Sequence, residues 1–121
     1  MVSNNIDIDF VRSLFSSINV AFTVLNEHDN IVIYNEAAEK LFGDDANEVL
    51  DKSVYIFHPD EKVESVRKEI DLFRTGKKTI IYKSFKENEK IIVEKLIAIR
   101  DAEGKYKGLV QIADYRSEFD I

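Results

Sequence analysis

Val32-Ile33-Tyr34-Asn35-Glu36-Ala37-Ala38-Glu39-Lys40-Leu41-Phe42-Gly43 changes its character halfway along. Up to Tyr34 it is β-branched and aromatic, and with Ile31 it reads as a short strand. From Glu36 it is built of good helix formers, and Gly43 stops it. Asn35 stands at the junction. It ends the strand, and its short side chain can accept a bond from the free amides of the helix's first turn. A strand handed directly to a short capped helix is the local arrangement around which the rest of the chain is read.

Working back from it, Ala21-Phe22-Thr23-Val24-Leu25 is rich in strand formers. Asn26-Glu27-His28-Asp29-Asn30 is a turn, so the two strands should pair as a hairpin. Further upstream Phe10, Val11, Leu14, Phe15 and Ile18 fall at helical spacing. They make one apolar stripe on a helix over 6–18, with Asp7 or Asp9 as its cap. Working forward, Asp44 or Asp45 caps a second short helix running to Leu50. Tyr55-Ile56-Phe57-His58-Pro59 is a compact connection in which Pro59 restricts His58 to extended geometry. Val63, Val66, Ile70 and Phe73 define an amphipathic helix over 60–75, terminated by Gly76. Three strands follow, over 79–85, 90–100 and 106–114, the last two joined by a hairpin turn at Asp101-Ala102-Glu103-Gly104. Antiparallel hairpins with helices bunched between them imply an α+β fold.

The 121 residues fit one domain, read as an N-terminal amphipathic helix over 1–18, a domain over 19–116 and a C-terminal tail over 117–121. The net charge of −6 and the lack of a basic cluster argue against nucleic acid as a partner, and against an anionic membrane surface. No basic-then-apolar leader and no membrane-length apolar run are present. The absence of cysteine removes disulfides, thiol nucleophiles and thiolate metal sites, and fits a cytoplasmic location. No nucleophile–His–acid set, phosphate-binding Gly loop or metal-ligand spacing is found, so the chain reads as a binding module and not as an enzyme. Glu61, Glu64 and Asp71 fall on the solvated side of their helix.

The stretch Val32 to Gly43, the segment Arg100-Asp101-Ala102-Glu103-Gly104-Lys105-Tyr106-Lys107-Gly108, the His58-Pro59 step and Leu72-Phe73-Arg74-Thr75-Gly76-Lys77-Lys78 together resemble the PAS family. The likeness is to a subgroup found in bacterial and archaeal signalling proteins, and it covers about residues 14 to 116. It implies a five-stranded antiparallel sheet in the order 2-1-5-4-3, helices on one face, and a small-molecule cavity beneath them. It implies a sensory role with a signalling effector as partner, while the stripe of Phe10, Val11, Leu14, Phe15 and Ile18 points separately to a two-fold homodimer. The family's flavin photosensors need a cysteine in the helical region, which this chain lacks. Its haem-binding members usually take a histidine from the long helix. That helix has none, and His58, just before it, is the one residue placed to be an axial ligand. The other reading of His58 is a residue that hydrogen-bonds the connection beside Pro59. No cofactor is expected, and a small ligand of unknown identity is left open.

A regular hairpin closed by Asp101 to Gly104 would set Leu96 opposite Leu109, Glu94 opposite Gln111, and Ile92 opposite Ala113. The other face of these strands carries Val93, Ile97, Ile99, Val110 and Ile112, and is the more apolar. Periodicity would therefore put the core there. The resemblance implies the reverse, with the first face lining the cavity along with Thr23, Leu25, Tyr55, Ile56, Val66, Ile70 and Phe73. Both hold if the stripe of Phe10, Val11, Leu14, Phe15 and Ile18, or a second subunit, covers the apolar face. Two roles stay open: ligand sensing through the cavity, or dimerisation by a domain whose core its own side chains fill. Glu94 either faces that cavity or reaches solvent at the sheet edge.

Overall fold

The computed structural model describes residues 2–87 and 89–116. The expected order of elements is present. Helix α1 (Ile8–Ser17) precedes β1 (Ala21–Asn26) and β2 (Ile31–Tyr34). Helices α2 (Glu36–Phe42) and α3 (Ala46–Val49), a 3₁₀ turn (Val54–Phe57) and α4 (Asp60–Arg74) follow. Strands β3 (Ile80–Glu87), β4 (Lys90–Arg100) and β5 (Tyr106–Arg116) complete the fold. The tail over 117–121 lies outside the described residues. The caps are local chemistry. Asp7 accepts from the Phe10 amide at 2.9 Å to start α1, and Asp45 accepts from the Asn47 amide at 2.8 Å to start α3. Asn35 does this for α2, and more, since it joins three elements. Its Oδ1 accepts from the Ala38 amide at 3.0 Å and the Phe22 amide at 2.9 Å. Its Nδ2 donates to the carbonyls of Val20 at 2.9 Å and Phe15 at 3.3 Å.

The five strands form one antiparallel sheet in the order β2-β1-β5-β4-β3. Its inner face carries Leu96 and Leu109 against Ile70 and Phe73 of α4, and Ile92 and Ala113 against Ala38 of α2, each of the four strand residues at most 6% exposed. Val93, Ile97, Ile99, Val110 and Ile112 on the outer face are only half-buried. Periodicity alone thus picked the wrong face as the core, and the family resemblance picked the right one. Helix α1 meets the outer face through Phe15, whose ring packs edge-on against Phe22 at 5.6 Å.

The β4–β5 register differs from the expected one by two residues. Arg100 pairs with Tyr106 instead of Lys105, because the loop runs over five residues, 101–105. There Asp101 Oδ1 accepts from the amides of Glu103 and Lys105, and Gly104 turns at φ 83°. Then Ile99 pairs with Gly108, which leaves Lys107 as an extra residue in β5, a bulge. Gly108 is there because a Cβ at that position would collide with the Leu25 carbonyl oxygen of β1. The longer loop and the bulge each displace β5 by one residue. Two single displacements restore the facing, so every side chain keeps its predicted side while its opposite number changes. Leu96 lies opposite Gln111, Glu94 opposite Ala113, and Ile92 opposite Tyr115.

Candidate functional site

The buried apolar residues fall into two clusters. One holds Leu25, Ile31, Val49, Ile70, Phe73, Leu96, Tyr106 and Leu109. The other holds Ala21, Ala38, Ile92 and Ala113. Strand alternation explains the division. Between Ala21 and Leu25 the inner-facing residue of β1 is Thr23. Between Leu109 and Ala113 on β5 it is Gln111, and between Ile92 and Leu96 on β4 it is Glu94. On β3, Lys83 stands between Ile81 and Phe85, directly opposite Glu94. A polar belt therefore crosses four neighbouring strands, from buried Thr23 to exposed Lys83, and separates the two clusters.

Within the belt Thr23 is directly opposite Gln111. Glu94 lies on the diagonal from Gln111, on the same face of the sheet. Burial pushes the Glu94 carboxyl up. The Gln111 hydrogen bond, Lys83 and His58 pull it back, and Glu69 adds to the rise. Lys83 Nζ lies 3.1 and 3.2 Å from the two carboxylate oxygens of Glu69 on α4. His58 Nδ1–H donates to the Val54 carbonyl at 3.0 Å, which matches its reading as a residue bonded within the connection. Thr23 is 7% exposed, and its Oγ1 is without a hydrogen-bond partner among the described residues. Lys83 and Glu94 also border an open depression of about 750 Å³ at that end of the sheet.

Most residues expected to line a cavity lie in or against the core. Thr23, Leu25, Ile70, Phe73, Ile92, Leu96, Leu109 and Ala113 are buried, and Tyr55, Val66, Glu94 and Gln111 are half-buried. Ile56 does not. It is 63% exposed, because the tight 3₁₀ turn directs Val54 and Tyr55 onto the core and leaves Ile56 facing outward. Glu94 and Gln111 are diagonal neighbours, not an opposed pair. Sequence reasoning missed Lys83 and Glu69. The available signal was a lysine at an inward position of β3, where alternation calls for an apolar residue.

It also missed a second polar group, at the C-terminal end of α4. Asp29, in the β1–β2 turn, is 8% exposed at φ 66°. It accepts from Arg74 at 2.7 Å and from the Tyr55 hydroxyl at 2.8 Å, while Arg74 also donates to Asp71 at 2.9 Å. Burial, then the Asp29 hydrogen bond and charge, push the Tyr55 phenol up to about 12, against the pull of Arg67 and Arg74. These groups satisfy one another and tie the end of α4 to the sheet. No group of three or more metal-ligating side chains is found among the described residues. Nor is any helix among them long and apolar enough to cross a membrane.

Residues 11–113 match the family described as PAS domain. No curated protein matches the chain in sequence. Among solved structures, a C-terminal domain from Streptococcus mutans superposes with a TM-score of 0.80 at 20% identity, over 95% of this chain and 90% of that one. The PAS domain of Bordetella pertussis BvgS gives 0.74 at 15% identity, over 93% and 88%. Histidine kinase ThkA, solved in complex with the response regulator protein TrrA, gives 0.67 at 25% identity, over 88% of this chain and 31% of that one. With the sheet order, the helix-covered inner face and the match over 11–113 in agreement, the chain belongs to the PAS domain family.

Proposed function

We propose that this PAS domain is a sensory module of a cytoplasmic signalling protein, and that it reads a small ligand through the polar belt. The observation that carries this is the buried Thr23 hydroxyl, without a partner among the described residues, opposite Gln111 and on the same sheet face as Glu94. A buried polar group without a partner costs about 1–3 kcal/mol. A core selected for stability alone would place an apolar side chain there. Apolar walls around a few convergent polar groups are what a small-molecule site requires. The belt's Glu94 and Gln111 lie on β4 and β5, so a ligand that engages them acts directly on the strands leading to the C-terminal residues, and from there on an effector. The likeness to a kinase solved with its response regulator supports that kind of partner.

The role is binding. Protein purified without denaturation is expected to be colourless and to carry a small molecule visible by native mass spectrometry. Replacing Thr23 by Val is expected to stabilise the ligand-free domain by about 1 kcal/mol while weakening ligand retention. A Soret band lost in H58A would overturn the reading in favour of haem. Destabilisation by T23V would show that the hydroxyl is already satisfied.

Dimerisation is the second reading, and α1 favours it. Ile8, Phe10 and Leu14 are 63%, 57% and 48% exposed, next to an outer sheet face that is only half-covered. Phe10 and Leu14, with Val11, Phe15 and Ile18, would form the interface of a two-fold homodimer, each Å² of apolar surface removed from water contributing about 25 cal/mol. Sedimentation is expected to show a dimer that F10E/L14E converts to a folded monomer. A wild-type monomer at high micromolar concentration would refute it.

A further inference from the structure

We propose that the free edge of β3 is a docking site for an extended, acidic segment of a partner protein, which adds to the sheet as a further strand. The inference goes beyond the ligand reading: it names a partner surface and needs no ligand in the belt.

The order β2-β1-β5-β4-β3 leaves β3 with β4 on one side and no strand on the other. One bond decides which backbone groups are left over. The Ala98 amide donates to the Thr79 carbonyl at 3.1 Å, and the pairing then runs without a shift from Ile80 with Ile97 to Glu87 with Lys90. In an antiparallel pair, residues bonded to the neighbouring strand alternate with residues that are not. Thr79, Ile81, Lys83 and Phe85 therefore turn their N–H and C=O groups to β4, and Ile80, Tyr82, Ser84 and Lys86 turn theirs away from the sheet. β3 is eight residues long and holds no proline, glycine or bulge, the usual devices that spoil an edge. The opposite edge is different. β2 has four residues, and there the Ile31 amide donates to the Lys52 carbonyl while the Asp51 amide donates to the Ile31 carbonyl.

Charge selects the occupant. Lysine is the other common guard of an edge. Here Lys83, which points toward the helices, is held by both oxygens of Glu69 on α4. Lys77, Lys78 and Lys86 are exposed and stand in no ion pair among the described residues. In a chain of net charge −6, Lys77, Lys78, Lys83, Lys86, Lys90 and Lys95 against Glu87, Glu89 and Glu94 make this side of the sheet cationic. A second copy of β3, paired about a two-fold axis, would bring the same lysines together, and like charges on neighbouring strands repel. An acidic strand instead meets Lys77 and Lys78 before the start of β3 and Lys86 near its end. Between them Ile80 and Tyr82, the latter 72% exposed, offer apolar cross-strand neighbours on the outer face. The segment that fits is apolar at its centre and acidic at both ends.

Three end-capped peptides test this: Glu-Val-Thr-Val-Glu, its counterpart with lysine in place of both glutamates, and a copy of the acidic peptide N-methylated throughout. Each is titrated into the isotopically labelled chain and followed by NMR. The acidic peptide is expected to shift the amides of Ile80, Tyr82, Ser84 and Lys86 saturably and to slow their hydrogen exchange, leaving those of β2 unmoved. Ser84→Pro removes one outward N–H at an edge position where proline is tolerated. It is expected to keep the native spectrum away from β3 and to abolish the shifts. K78E/K86E alters two exposed side chains, and is expected to lower the affinity for the acidic peptide about tenfold and to reverse the preference between the two charges. Equal binding of the lysine peptide would overturn the acidic assignment, and equal binding of the N-methylated copy would overturn strand addition. Concentration-dependent shifts of the four amides without any peptide would assign the edge to a second copy instead. No shift with any of the three at millimolar concentration would overturn the proposal outright and leave the ligand reading of the belt untouched.

Discussion

Replacing Asn35 by Ala is expected to cost about 3 kcal/mol of stability, read as a lower denaturant midpoint at unchanged slope. The residue is 6% exposed and engages both its oxygen and its nitrogen. Losing Oδ1 removes the cap of α2 at Ala38 and frees the Phe22 amide at the start of β1. A lost cap costs about 1 kcal/mol, and each buried backbone group left without a partner about 1–3 kcal/mol. Losing Nδ2 adds the carbonyl of Val20 and releases the end of α1 at Phe15 and Ile18. N35D separates the two halves, since it keeps the acceptor and loses the donor. It should retain α2 and β1 and loosen α1. A loss below about 1 kcal/mol in N35A would mean that water replaces these bonds without penalty.

Phe73→Ala is expected to cost about 4 kcal/mol, within the usual range for a fully buried aromatic. Phe73 has no exposed surface and stands in the main core cluster with Ile70, Leu96 and Leu109. Its own carbonyl accepts from Arg100 on β4, so the backbone of α4 is fastened where the side chain is buried. That fastening limits how far the helix can settle into the space left behind, which keeps the cavity term large. F73L should recover most of the loss. Thermal unfolding gives the comparison, and a drop for F73A of less than about 1 kcal/mol would show that the core refills.

The elements were legible because their signals are local. Asn35, Asp7 and Asp45 announce helix starts by side-chain chemistry that needs no tertiary context. The sheet order came from resemblance, since nothing in the residues of β2 or β3 states which neighbour they meet. The face assignment shows where pattern fails. The outer face is richer in Ile and Val, but the inner face is the one the helices cover, and it accommodates Thr23, Gln111 and Glu94 within an otherwise apolar surface. A periodicity count penalises those three residues, which are the ones of functional interest. The opposed pair of Glu94 and Gln111 was misplaced because a bulge at Lys107 leaves no mark in composition. The tie between Asp29, Tyr55 and Arg74 was invisible for another reason. It joins residues 26 and 45 positions apart that meet only once α4 has docked.

The β4–β5 connection behaves as a counter read modulo two. One further residue between Arg100 and Gly108 would turn Val110 and Ile112 toward the helices and send Gln111 to the outer surface. Two further residues would only slide the strand. A change of one is tolerable where a bulge appears or disappears with it, and the bulge sits against Gly108, where β1 leaves no room for a Cβ. The length of this loop and the identity of position 108 are thus a linked pair of characters. A descendant of this sequence with an odd insertion here should also have altered its glycine, while even insertions should accumulate without regard to it.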